Sequence, residues 1–331
     1  MMRRRNIGDG LCESVEGLGR KLIAAAPANP DGYYFLAGGL AGQSSSLSAA
    51  QAALESRWLA TPSSSRTTTR LQDTFYLRVS SGAFDDAERT LDAWEAEAQN
   101  FSDADHRGRP AVERLLFNLE LGRNAKAATL AQTYLEQSRA WTEGASIVFD
   151  IEAYRVLYWS GAIDRARFGQ LRDDWLRASE HRRSGMNELK LYRWYEAFVE
   201  PVVDAEDARL AIAQRPAGME EPDREIMQTQ SLQRLGRMYL LAGQMDEAVA
   251  FLGRAVGACF YRYPFHRMWA NLDYAIALRQ RGDRPRAREA LDTISHGWGK
   301  DPRSKTNRGA QALLKRLGPE PSRDTTLPDD K

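Results

Sequence analysis

Histidine and cysteine are scarce in this chain, and the commonest ways of building a chemical site go with them. The 331 residues hold four histidines, at positions 106, 181, 266 and 296, and two cysteines, Cys12 and Cys259. No Cys or His stands beside another at metal-ligand spacing, so the sequence offers no zinc site and no cofactor is expected. Cys259 is expected as a buried thiol packed like a small apolar residue, in preference to a disulfide with Cys12. Lysine is also rare, at seven positions, so the positive charge is almost all arginine. We read that bias as GC-rich coding; its physical consequence is a set of cations that fork onto carboxylates and stack on aromatics.

Charge of one sign is missing as well. Forty-six basic against 45 acidic residues leave a formal charge of +1, which gives no general attraction to nucleic acid or anionic lipid. Electrostatic recognition must therefore be local. No segment approaches the roughly 18 apolar residues that span a bilayer. Arg3-Arg4-Arg5 begins like a signal-peptide n-region, but the following IGDGLCESVEGLGRK carries acids and no continuous apolar run. The expectation is a soluble, cytoplasmic protein. Strand-like alternation is absent too, which points to an all-α fold.

What is present is a period. The spacing Gly-x4-Ala occurs at Gly82/Ala87, Gly122/Ala127, Gly161/Ala166, Gly243/Ala248 and Gly282/Ala287. Neighbouring glycines are 39 or 40 residues apart, and the one gap of 82 fits two units, with a copy near Val203 and Ala208 that has lost its glycine. An apolar-periodic segment precedes each mark (VERLLFNLEL, LQRLGRMYLLA) and another follows it (NAKAATLAQTYL, MDEAVAFLGRAV). Each unit reads as helix, tight turn, helix. The glycine ends the first helix in a left-handed conformation. Asp85, Asp164 and Asp246, or Asp283 with Pro285, suit the start of the second. The alanine lets the two helices cross closely. Stacked pairs bury what one pair cannot, so the expected architecture is a right-handed α-solenoid with a period of about 40.

Residues 1–28 are expected as an N-terminal segment, part helical; 29–318 as the solenoid, with SKTNRGAQALLKRLG as its capping helix; and 319–331 as a disordered tail. TPSSSRTTT, residues 61–69, reads as a loop. FSDADHRGRP and QRPAGMEEPD read as long connections between pairs.

Leu235-Gly236, Tyr239, Gly243, Ala248, Leu252 and Ala255 fall at the marked positions of a tetratricopeptide repeat, and the unit around them resembles that family. The segment from Pro264 through Trp298-Gly299 to Asn307 resembles tetratricopeptide modules that follow Ser/Thr protein kinase domains in myxobacteria and related bacteria. That resemblance implies an interaction module of a signalling protein. The chain has no Gly-rich phosphate loop, H-R-D or D-F-G motif, so it carries no kinase domain of its own.

In such arrays the first helix of each pair lines the concave surface, with the residues three and six before the turn glycine facing inward. Here those include Arg155, Tyr158, Arg237 and Arg279, with Trp159 next to them and Lys190 and Arg193 in the fifth unit. Cations beside aromatics suit an acidic or C-terminal-carboxylate peptide. The expected function is a non-catalytic scaffold binding a protein or peptide partner in its groove, without nucleic acid or membrane partners. The alternatives at residue level are that these arginines pair with acids on adjacent helices and the tryptophans fill the core. The alternative at the level of function is an enzyme or small-molecule receptor with a pocket enclosed by the array.

Overall fold

Five glycines with positive φ set the spacing of the structure. In a computed structural model, Gly82, Gly122, Gly161, Gly243 and Gly282 have φ between 71° and 84°. Each stands at the end of a helix, and each helix closes with the same bond. The amide one residue after the glycine reaches back five residues, Ala83 to Arg78, Arg123 to Asn118, Ala162 to Leu157, Gln244 to Tyr239 and Asp283 to Leu278, all at 2.9 Å. A β-carbon would strain this left-handed turn, which is why the register mark is glycine.

The structure describes residues 9–42, 47–101, 104–138, 146–182, 192–217, 229–259 and 261–318. Among them all regular structure is helical. Three helices lead in, α1 (Asp9–Ala25), α2 (Pro30–Gly42) and α3 (Leu47–Ala60). The pairs follow: α4 (Ser63–Ser80) with α5 (Phe84–Ala98), α6 (Ala104–Glu120) with α7 (Asn124–Ser138), and α8 (Ser146–Trp159) with α9 (Arg165–Arg182). A π-helical turn (Tyr195–Val199) precedes α10 (Ala205–Ala213). Then come α11 (Thr229–Leu241) with α12 (Met245–Val256), α13 (Pro264–Gln280) with α14 (Arg284–Trp298), and α15 (Lys305–Leu317). Each pair packs on the next, α5 on α6, α7 on α8 and α12 on α13, which makes the array a solenoid.

The alanine mark is fully buried at Ala87, Ala127, Ala208, Ala248 and Ala287. Ala166 departs from the pattern and is exposed. In the other glycine-marked pairs the second helix starts two residues after the glycine, whereas α9 starts four after Gly161. The buried fourth helical position therefore falls on Phe168, whose ring stacks on Tyr158 at 5.0 Å. Asp164 caps α9 through the Arg167 amide, and Asp283 caps α14 through the Arg286 amide.

Two connections expected as loops are helical. TPSSSRTTT enters α4 from Ser63 onward, since Pro62 starts the helix and Arg66 satisfies the carbonyls of Leu59 and Thr61 behind it. FSDADHRGRP is helical from Ala104, so a longer first helix accounts for part of the long period. QRPAGMEEPD, the tail from 319 and Lys190 lie wholly or largely outside the described residues.

The array also closes on itself. Helix α4 of the first pair packs against α13 near the end of the chain. Trp298, fully buried, donates its indole N–H to the Val79 carbonyl at 2.7 Å, with its ring edge-on to Phe84. A β-carbon on Gly82 would lie 2.4 Å from the Gly297 carbonyl oxygen, so the two turns touch backbone to backbone. Arg303 reaches Asp85 at 2.8 Å. Cys12 of α1 is disulfide-bonded to Cys259, tying the lead-in helices to the segment before α13. The disulfide corrects the reading of Cys259 as a free buried thiol. Closure brings together two residues that are remote in sequence.

Candidate functional site

Curling the array turns its concave face inward, and the first helices α4, α6, α8, α11 and α13 converge there. The residue nine before each turn glycine is Asp73, Glu113, Glu152, Arg234 or Asp273. Four of these five are buried, and the Glu152 side chain keeps only 16% exposure. Buried charges persist only when paired and hydrogen-bonded, and the site is a record of that pairing.

Arg155 sits at its centre with no exposed surface. Its guanidinium contacts Glu152 at 2.5 Å, Glu196 at 2.8 Å and Glu200 at 3.9 Å. The π-helical turn supplies the last two. Its wide winding, closed by the Glu200 amide on the Tyr195 carbonyl at 3.0 Å, places two acids four residues apart against one cation. Glu200 also accepts from Tyr195 and Gln230 at 2.6 and 2.8 Å, and it pairs by charge with Arg234 at 2.9 Å. Arg234 lies over the rings of Trp159 and Trp269, 4.5 and 4.9 Å from their centroids, and so makes two cation-π contacts.

The carboxyls divide by environment. Burial pushes Glu200 up, but Arg234 and Arg155 outweigh it and hold the group ionised. Burial pushes Glu196 up, and Glu152 and Glu200 add to that against the pull of Arg155. Burial raises Glu113 to about 7, offset in part by the Tyr76 hydroxyl, which donates to it at 2.7 Å, and by Arg109. Burial also lowers His266 to about 3, so its ring is neutral. At the other end of α6, Glu120 accepts from Trp269, Ser304 and Thr306, which seats the start of α15 over the array.

These shifts have a stability consequence whose sign is fixed. A carboxyl raised above its unfolded value stabilises the fold while protonated, below the unfolded value near 4.5, and that contribution is lost as pH rises through the folded value. Glu113 alone, moving from 4.5 to about 7, accounts for a loss of about 3 kcal/mol between pH 5 and pH 8. Urea unfolding should show the decline in the native chain and a flatter profile in Glu113→Gln.

The sequence-derived site residues are not gathered in one open groove. Arg155 is buried in its acid cluster. Tyr158 bonds Asp207 at 2.9 Å, and Trp159 bonds the Pro201 carbonyl at 3.2 Å while stacking on Arg234. Arg193 donates to the Ser179 carbonyl at 2.9 Å. Arg237 pairs with Asp273 at 3.0 Å yet keeps 32% exposure, and Arg279 is exposed. The alternative of pairing between adjacent helices thus describes Arg155 and Arg237. Of the tryptophans, Trp94, Trp175, Trp194 and Trp298 are core.

Glu152, Glu196, Glu200, Arg234 and His266 escaped the sequence reading. The signal for two of them was the position nine before the glycine, one helical turn further back than the positions considered, where a charge recurs in all five glycine-marked units. Nothing comparable marked the π-helical turn.

Comparison with known proteins adds little to this geometry. No protein-family profile matches the chain, and no curated protein matches it. The crystal structure of the P58(IPK) TPR domain is similar over 93% of this chain and 99% of that one, at 15% identity and a TM-score of 0.24. Among the described residues no helix is long and apolar enough to cross a membrane.

Proposed function

We propose that the chain is a non-catalytic interaction module that binds an acidic protein or peptide partner on the face shared by α11 and α13. The observation that carries this reading is the state of Arg237. Asp273 fixes its guanidinium at 3.0 Å, yet a third of the side chain faces solvent, with Arg279 exposed and Ile276 half-buried on the neighbouring helix. A held cation beside a second cation and an apolar side chain suits an acidic segment with an apolar anchor. Trp159 stacks on Arg234 of α11, and Arg155 shares Glu200 with it, so these two side chains lie beneath that helix.

The resemblance to kinase-associated repeat modules supports a signalling role. A disulfide such as Cys12–Cys259 belongs to oxidising compartments, so the proposal places the module there and not in the cytoplasm expected from composition. The test is capture of peptides from an acidic peptide library by the native chain and by Arg237→Glu/Arg279→Glu, both checked for unchanged thermal unfolding. Selective loss of binding in the variant supports the face; the same peptides captured equally by both would overturn it.

One observation favours a second reading, a receptor or enzyme working inside the array. Arg155, Tyr195, Glu196 and Glu113 converge there, and carboxyls raised toward neutrality are suited to moving protons. Turnover of any substrate that disappears in Glu196→Gln would put this reading in place of the first.

A further inference from the structure

A second group of arginines, at the opposite end of the first helices from Arg237 and Arg279, has no ion-pair partner among the described residues. Arg109 lies near the start of α6, and Arg262 lies in the segment just before α13. Among the described residues no carboxylate is within ion-pair distance of either, whereas Arg57 beside them pairs with Asp73. The Nε of Arg262 is buried without a hydrogen-bond partner, and its guanidinium lies 4.7 Å over the Tyr34 ring. Arg109 shares the Tyr76 hydroxyl oxygen as its neutral partner, while that hydroxyl donates its own proton to Glu113. A guanidinium donor left unsatisfied in a buried setting costs free energy that an incoming acceptor would recover.

The backbone marks the same place. Tyr263 has φ 63° and ψ 47°, and it is the one residue other than glycine with positive φ among the described residues. A bulky side chain in this region costs roughly 1–3 kcal/mol and persists where its surroundings dictate it. The conformation sets Tyr263 beside Arg109 and 6.0 Å from the His266 ring. Tyr34, Arg109, Arg262 and Tyr263 all keep partial exposure, so solvent reaches the cluster.

We propose that Arg109 and Arg262, flanked by Tyr34 and Tyr263, form a binding site for an oxyanion, a carboxylate or a phosphate, carried on an aromatic or apolar group. Two forked cations satisfy the oxygens, and the tyrosine rings face the attached group. The site is separate from the α11/α13 face and does not depend on it.

Glu113 makes the binding pH-dependent. It is faced by Tyr76 from α4, Arg109 from its own helix, Glu152 from α8 and Arg262. When ionised it competes with the ligand for the two arginines; when protonated it leaves them free. Affinity therefore falls as pH rises through about 7.

The experiment is calorimetric titration of the full chain with phenyl phosphate, benzoate and inorganic phosphate at pH 6 and pH 8. Binding of phenyl phosphate or benzoate that is tighter at pH 6 is expected, and the better of the two identifies the source of the oxyanion. Arg109→Met and Arg262→Lys should each weaken it at least tenfold; the lysine keeps the charge and loses the fork. Glu113→Gln should remove the pH dependence, since benzoate is fully charged at both pH values. Tyr263→Asn, which tolerates the left-handed backbone, should keep the melting temperature and lose affinity. No binding by any of the three probes, or binding unchanged in Arg262→Lys and Arg109→Met, would overturn the site. Neither outcome bears on peptide capture at Arg237 and Arg279.

Discussion

Arg155→Met is expected to destabilise the protein by about 3–5 kcal/mol, the cost of removing one partner from a buried ion cluster. The charge belongs to no surface. Its removal leaves Glu152, Glu196 and Glu200 against each other with Arg234 as their nearest remaining cation. Some of the loss is relieved when the acids take up protons, so the deficit should be larger at pH 8 than at pH 5. Urea unfolding at the two values measures it. The triple variant Arg155→Met/Glu152→Gln/Glu196→Gln should recover part of the loss, because it removes the uncompensated charges with the cation. Arg279→Glu, at an exposed position, should change stability by under about 0.5 kcal/mol. Equal, small effects of the Arg155 and Arg279 variants would mean that Arg155 faces water.

Trp298→Ala is the second large effect, again about 3–5 kcal/mol, and its cause is different. Trp298 is the final residue of α14, yet its indole bonds Val79 at the end of α4, and its ring meets Phe84 and Phe265. It therefore joins the first pair to the last. Trp298→Phe keeps most of the apolar contact and loses the indole bond, so it should cost less, about 1–2 kcal/mol. Thermal unfolding of the two variants separates packing from hydrogen bonding. In Trp298→Ala the first and last pairs lose a principal contact, and hydrogen exchange should rise in α4 and α13 before it rises in α8.

The helix pairs were legible in the sequence because each is a local device. Glycine, acid and alanine act within a dozen residues, and the left-handed turns at Gly82, Gly122, Gly161, Gly243 and Gly282 are where the spacing puts them. Even the miss at Ala166 is local, a turn two residues longer that hands the buried position to Phe168. Closure was not legible. It depends on how small rotations between pairs accumulate along the array, and no single unit encodes that sum. The site inherited the error. Arg155, placed on an open groove by register, is buried among acids of its own helix and of the π-helical turn. The cysteines show the same limit. Cys12 and Cys259 become neighbours only when α1 and the segment before α13 are brought together.

Closure is the claim on which the buried hub and the exposed Arg237 face both rest. Asp85 and Arg303 are partly exposed and in contact at 2.8 Å, although they belong to the first pair and to the segment after the last one. In Asp85→Cys/Arg303→Cys, a short bis-maleimide should join the two thiols within one chain and shift the mobility of the denatured monomer. Without the shift, or with crosslinking only between chains, the array is open and the closure is contradicted.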